Sequence, residues 1–311
     1  MLFSYHTHTE FCDGTSTAAA MAEAAFEAGY SVLGFSSHAP LPFDCSWTMQ
    51  WRSIGDYAAS VRSLQRLWKP RGLAILLGLE IDYIRNIVSP GDEAYDVIAP
   101  DFRLGSVHFL TDLAEDEFTV DEPAADFERH MAGLGGDASI VWKQYYANLV
   151  AMIEKGGFDI LGHFDLVKKN NARGRWFDED GTDYRDAAFA AVDRASELGR
   201  VAEINTGGLA RGKTDSPYPS MAILKHMREA GLRLTLGDDA HAPPHLGRYQ
   251  AAAIGAAKEA GYTSLWYMDA GGAWGEIGID EAGRDRPGDN KKRGSRCRPI
   301  HIHAIGNKTR S

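Results

Sequence analysis

Ile75-Leu76-Leu77-Gly78-Leu79-Glu80 is the stretch on which the reading of this chain turns. The run is apolar or small without a break, and then it stops at a carboxylate. A strand with one wet face alternates apolar and polar residues. A run apolar at every position belongs to a strand covered on both faces, as in a parallel sheet flanked by helices. An unpartnered acid at its end would be costly to bury, so Glu80 needs a cation, either an arginine or a metal ion.

The same pattern recurs to either side. Tyr5 gives way to His6-Thr7-His8, and Val32-Leu33-Gly34-Phe35 leads to His38. Leu104-Gly105-Ser106-Val107 meets His108, Ile160-Leu161-Gly162 meets His163, and Leu234-Thr235-Leu236-Gly237 runs into Asp238-Asp239-Ala240-His241. Strands are expected at 2–5, 31–35, 74–79, 103–107, 158–161, 201–204, 232–236 and 264–268. Between them, Ile54, Tyr57, Val61, Leu64 and Trp68 step at helical spacing, as do Val141, Tyr145, Leu149, Met152 and Ile153. Ala-rich segments around 18–28, 187–198 and 250–260 also favour helix. This alternation predicts βα units on a parallel sheet, seven or eight of them closing on themselves. Metal-binding side chains then gather at the carboxyl ends of the strands, where barrel enzymes build their sites.

Residues 1–280 are expected to form that barrel. From about 281 the chain turns basic, with Arg284, Arg286, Lys291, Lys292, Arg293, Arg296 and Arg298 among Gly, Asp and Pro, and reads as a solvated, disordered tail. His301 and His303 within it have neither strand framework nor acid partners and are taken as incidental. The connection 109–140 is acidic and then Gly-rich, and its position after a ligand-bearing strand suits a lid.

Composition adds bounds. A 44% hydrophobic, 24% charged chain of 311 residues has ample material for a core. The net charge of −10 argues against a nucleic-acid or anionic-membrane surface. Three cysteines make no disulfide framework. No leader and no membrane-length apolar run is visible, so a cytoplasmic enzyme is the expectation.

Taken singly, each histidine could be a hydrogen-bonded core residue and Glu80 a salt-bridged one. Together they exceed what one tetrahedral zinc needs, so a cluster of two or three divalent ions is expected. Such a cluster suits phosphate-ester hydrolysis, because it lowers the pKa of bound water and neutralises charge on phosphoryl oxygens. No Ser-His-acid elbow or Gly-rich phosphate loop competes with it.

The motifs also resemble a known family. His6-Thr7-His8-Thr9 with Phe11-Cys12-Asp13-Gly14, and Gly34-Phe35-Ser36-Ser37-His38-Ala39-Pro40-Leu41-Pro42-Phe43, are similar to the polymerase-and-histidinol-phosphatase (PHP) superfamily. Gly78 to Tyr83, Gly105 to Phe109, Asp159 to Asp165, Glu203 to Leu209 and Gly237 to Pro243 continue the match over roughly residues 1–270. The segment around His38 resembles the branch that acts on histidinol phosphate. The resemblance implies a distorted (β/α)7 barrel and a trinuclear centre of zinc, manganese or iron. His6, His8, Glu80 and Asp239 would hold one ion. Glu80 would bridge to a second, held by His108 and His163, and a third would sit with Asp13, His38 and His241. Relatives often carry histidine near position 13; a carboxylate there favours manganese or iron over zinc.

The implied reaction is hydrolysis of L-histidinol phosphate, by attack of a metal-bridging hydroxide, with Glu80, Asp239 and His241 indispensable. Asp238, often serine in relatives, would orient its neighbour Asp239. Arg211, Lys168 and Arg248 are the candidates for phosphate contact, and the acids of 109–122 could draw in an ammonium group. The expected partner is a small phosphomonoester, with no nucleic acid and no membrane. Rival readings are another phosphomonoester or a nucleotide phosphodiester as substrate, amide hydrolysis, and a metal-binding domain without catalysis.

Overall fold

The computed structural model describes residues 1–111, 113–114 and 117–283. Seven parallel strands form one sheet in strict chain order: β1 Leu2–Ser4, β2 Tyr30–Phe35, β3 Ala74–Asp82, β4 Phe102–Ser106, β5 Ile160–Leu161, β6 Val201–Asn205 and β7 Arg233–Gly237. The sheet curls into a nearly closed barrel of the (β/α)7 kind. The helices are α1 Ala18–Glu27, α2 Ile54–Trp68, α3 Ala124–Gly133, α4 Ala138–Lys155, α5 Thr182–Glu197, α6 Gly207–Ala210, α7 Met221–Glu229 and α8 Gln250–Glu259. All but the short α6 are long enough to cover a strand face.

Local chemistry explains several of these elements. The Thr17 side chain caps α1 by accepting from the Ala20 amide, and Asp137 caps α4 by accepting from Ser139. The expected stripe of α2 (Ile54, Tyr57, Val61, Leu64, Trp68) is buried, covering β2 and β3 in one apolar cluster. Every residue of β3 after Ala74 is buried. That is the prediction made from its unbroken apolar run.

Ring closure is sparse. β5 is two residues long and shares a single registered pair with β6, Leu161 with Ala202. No ladder joins β1 to β7; the ends meet at one parallel bridge, Thr7 to Ala240. There the His8 amide donates to the Ala240 carbonyl at 2.9 Å and the Ala240 amide to the His6 carbonyl at 3.3 Å.

Two expectations need correction. The apolar run 264–268 is a strand, β8, but it is not a barrel stave. It forms an antiparallel hairpin with β9 Trp274–Gly278, held by Tyr5, whose hydroxyl donates to the Met268 carbonyl at 2.9 Å and accepts from its amide. The 109–140 connection, expected as an acidic, Gly-rich lid, carries an element not foreseen, α3, and a bridge between Phe109 and Thr119. At the last of the described residues, Gly283 donates to the Met1 carbonyl, and the Met1 amino group donates to the Glu281 carbonyl, so 281–283 pack back on residue 1. The basic stretch from 284 onward, with His301 and His303, lies outside the described residues.

Candidate metal centre

Each strand delivers its chemistry at its carboxyl end. His6 and His8 follow β1, His38 follows β2, Glu80 and Asp82 close β3, and His108 and His163 follow β4 and β5. Glu203 lies in β6, and Asp239 and His241 follow β7. Nearly all are buried: His6, His8, Glu80, His163 and Glu203 expose 2% or less of their surface. Asp13 and His241 sit nearer solvent.

Glu80 is the hub. Its Oε2 lies 3.0 Å from His6 Nε2, 3.1 Å from His38 Nδ1 and 3.5 Å from His8 Nε2. Its Oε1 lies 2.9 Å from His163 Nε2, 3.8 Å from His108 Nε2, and accepts from the Ser106 hydroxyl at 2.7 Å. The two carboxylate oxygens therefore face two different sets of imidazoles. Among the described residues, four groups have donor atoms close enough to share an ion: His6, His8 and Glu80; Glu80, His108 and His163; His8, Asp13, His38 and His241; and His38, Asp82 and His108.

The donor set fits cations. His8 Nε2 is buried, lies 3.3 Å from Asp239 Oδ1 and 3.5 Å from Glu80 Oε2, and makes no hydrogen bond; His38 Nδ1 is likewise without one. A buried imidazole nitrogen that faces a carboxylate oxygen without a hydrogen bond is left unsatisfied, and a divalent ion shared with that oxygen would satisfy it. Protonation follows the crowding. Burial and the neighbouring His241 and His38 press His8 down to about 3. Burial opposes charge on His6, but the Glu203, Glu80 and Asp239 charges outweigh it and raise its pKa. Burial also resists charge on Glu80, and His6 and His38 hold it well below the carboxylate range.

Two carboxylates that carry no expected role turn out to orient the imidazoles. Glu203 Oε1 accepts from His6 Nδ1 at 2.8 Å and from the His163 amide at 2.9 Å. Asp82 Oδ1 accepts from His108 Nδ1 at 2.8 Å. An ionised carboxylate only accepts, so each takes the Nδ1 proton of its histidine; with an ion seated between Nε2 and Glu80, that would leave the Nε2 lone pair for the ion. The signal was present: Val201-Ala202-Glu203-Ile204 is another acid in a buried run, and Asp82 lies two residues past Glu80 on the same strand. Gly237 makes room, since a Cβ there would lie 1.9 Å from Glu203 Oε2.

The cation candidates divide. Arg211 faces the site, but its fork engages Asp239: Nη2 lies 2.9 Å from Oδ2 and Nη1 3.1 Å from Oδ1, with His241 Nδ1 2.8 Å from Nη1. Lys168 does not face the site. It is buried beside Asp165 at 3.2 Å and donates to the Pro217 carbonyl, because its strand's loop turns it toward the segment after α6. Arg248 is exposed and lies over Tyr249, away from the pocket. Asp238 does not orient Asp239 through its side chain. Asp239 has a left-handed backbone (φ +49°), and the Asp238 carboxyl accepts from Tyr30 and Gln250 instead. Burial raises it to about 6.

Above the cluster opens a pocket of about 470 Å³, walled by Trp47, Glu117, Asp121, Lys169, Arg211 and Lys213 among others. Lys169 in it pairs with Asp121 at 2.9 Å.

The sequence matches the PHP domain family over residues 4–207, and the chain belongs to that family. Among individual proteins it is 30% identical to the Deinococcus radiodurans protein named "Probable histidinol-phosphatase", over 78% of this chain and 87% of that one. It is 28% identical to the histidinol-phosphatase of Bacillus subtilis, over 78% and 94%. The fold is similar to that of histidinol phosphate phosphatase from Lactococcus lactis, solved with zinc, L-histidinol and phosphate: TM-score 0.59, 19% identity, covering 87% of this chain and 98% of that one. Among the described residues no helix is long and apolar enough to cross a membrane.

Proposed function

We propose that this protein is a metal-dependent phosphomonoesterase that hydrolyses L-histidinol phosphate to L-histidinol and phosphate. The observation that carries the reading is Glu80, with one oxygen toward His6, His8 and His38 and the other toward His163 and His108. In this reading His6, His8, Glu80 and Asp239 hold one ion, Glu80, His108 and His163 a second, and Asp13, His38 and His241 a third. Such ions supply Lewis acidity and an activated water near neutral pH. Glu203 and Asp82 keep the Nε2 lone pairs of His6 and His108 available. Arg211 holds Asp239 in place and adds positive charge where phosphate oxygens would come to rest. Two curated relatives at 28–30% identity, both named for this activity, support the substrate.

The experiment is phosphate release from histidinol phosphate, other phosphomonoesters and a dinucleotide, after loading with manganese, zinc or iron. Histidinol phosphate should be turned over with the highest kcat/KM. Turnover of a dinucleotide or an amide, with none of histidinol phosphate, would overturn the assignment. Glu80→Gln should lose at least about a hundredfold in kcat and bind fewer ions while keeping its circular dichroism spectrum. Full activity in that variant would refute the role of Glu80.

A further inference from the structure

The pocket above the cluster is polarised. Its cationic side is built after β6, where Arg211 grips Asp239 and Lys213 reaches the rim. The opposite side comes from the loops after β2 and β4. Trp47 stands edge-on to His38 at 4.7 Å and to His108 at 5.4 Å between ring centroids, and is backed by Phe109 stacked at 5.5 Å. Glu117, carried by the loop after β4, is exposed and lines the same pocket.

The other acids of the wall are occupied. Asp121 is paired with Lys169, Glu122 with His130 at 2.7 Å, and Asp126 with Arg129 at 3.6 Å. Glu117 has no cation partner among the described residues. An acid and an aromatic ring that line one pocket with the metal cluster complement a dipolar ester whose anionic end lies over the cluster.

We infer that Trp47 and Glu117 form the subsite for the alcohol portion of the ester, selecting a flat ring that carries an ammonium or imidazolium charge. This deepens the proposed function and rests on phosphoester hydrolysis at the cluster. With the phosphoryl group over Glu80 on the Arg211 side, the leaving alcohol points across the barrel mouth to Trp47. Glu117 then meets the positive charge, and only one orientation of the ester satisfies both walls. Neither residue is placed in the bond-breaking step; both set specificity.

The test compares kcat/KM for histidinol phosphate and pyridoxamine phosphate, which are charged rings, with phenyl phosphate, a neutral ring, and phosphoethanolamine, a charge without a ring. In the wild type both charged rings should be favoured over phenyl phosphate. Glu117→Gln should cut that preference about tenfold, through KM more than kcat. Trp47→Leu should cut the preference for rings over phosphoethanolamine, and Trp47→Phe should restore most of it. Equal treatment of charged and neutral rings by the wild type, or a preference within twofold of wild type in Glu117→Gln, would overturn the inference. If pyridoxamine phosphate shows the Glu117 dependence and histidinol phosphate is not hydrolysed, the proposed substrate fails and the subsite stands. If histidinol phosphate is hydrolysed and Glu117→Gln leaves selectivity unchanged, the subsite fails and the proposed function stands.

Discussion

Glu203 is as deeply buried as any ionisable group here, yet it binds nothing that is itself exposed. In the proposed centre it would hold a proton on His6 Nδ1 so that Nε2 offers its lone pair to an ion. Glu203→Gln should therefore weaken ion binding about 10- to 100-fold, read by calorimetric titration of zinc or manganese into stripped protein, with secondary structure intact. Unchanged affinity would reduce Glu203 to a packing group. At this scale the sequence was partly legible. A donor at the end of an apolar run announces itself by its cost of burial, and His6, His8, His38, Glu80, His108 and His163 were found that way and converge. What the pattern does not encode is direction. Asp238 and Asp239 are adjacent in sequence, yet a left-handed turn sends their side chains to different neighbours. Lys168 and Arg248 had the charge for phosphate but were aimed elsewhere by the loops that carry them.

Among the elements, the β3–β4 ladder includes one close approach, at Gly78 opposite Phe102. A Cβ on Gly78 would lie 2.4 Å from the Phe102 ring, itself fully buried. Gly78→Ala should cost about 1–3 kcal/mol by overpacking, seen as a lower midpoint in urea, and adding Phe102→Leu should recover part of it. The loop after β4 is held differently. Burial raises the Asp121 carboxyl, but the Lys169 ammonium and His108 outweigh it and keep it below the ordinary range. A depressed carboxyl stabilises the fold above its unfolded pKa, near 4, and that contribution fades as pH falls through the folded value. Lys169→Met should therefore be less stable than wild type by roughly 1–2 kcal/mol at pH 7, the pair being partly open to solvent. The gap should narrow on acidification below pH 4; a gap independent of pH would rule the pair out as its source. Strands buried on both faces were the most legible elements, because their apolar runs are continuous. The run 264–268 has the same composition but pairs with 274–278, and local pattern cannot say which partner a strand finds. Helix α3 was missed because its apolar positions are few and the connection around it is polar.

On the scale of the whole molecule, ions bound by the folded state and not by the unfolded chain should raise stability in proportion to occupancy. Removing them with a chelator should lower the melting temperature by several degrees, at about 2–4 °C per kcal/mol for a barrel of this size, and restoring the metal should reverse the loss. A chelator-insensitive melt would mean that the cluster does not load.

The bridge between Thr7 and Ala240 takes its backbone bonds from His6 and His8, and Ala240 sits between Asp239 and His241. The first and last staves are thus fastened by the same few residues that form the cluster. In the proposed reading the cluster is the barrel's clasp as well as its workshop. A partly unfolded chain with a parted seam has no site to occupy, and an occupied site leaves no seam to part.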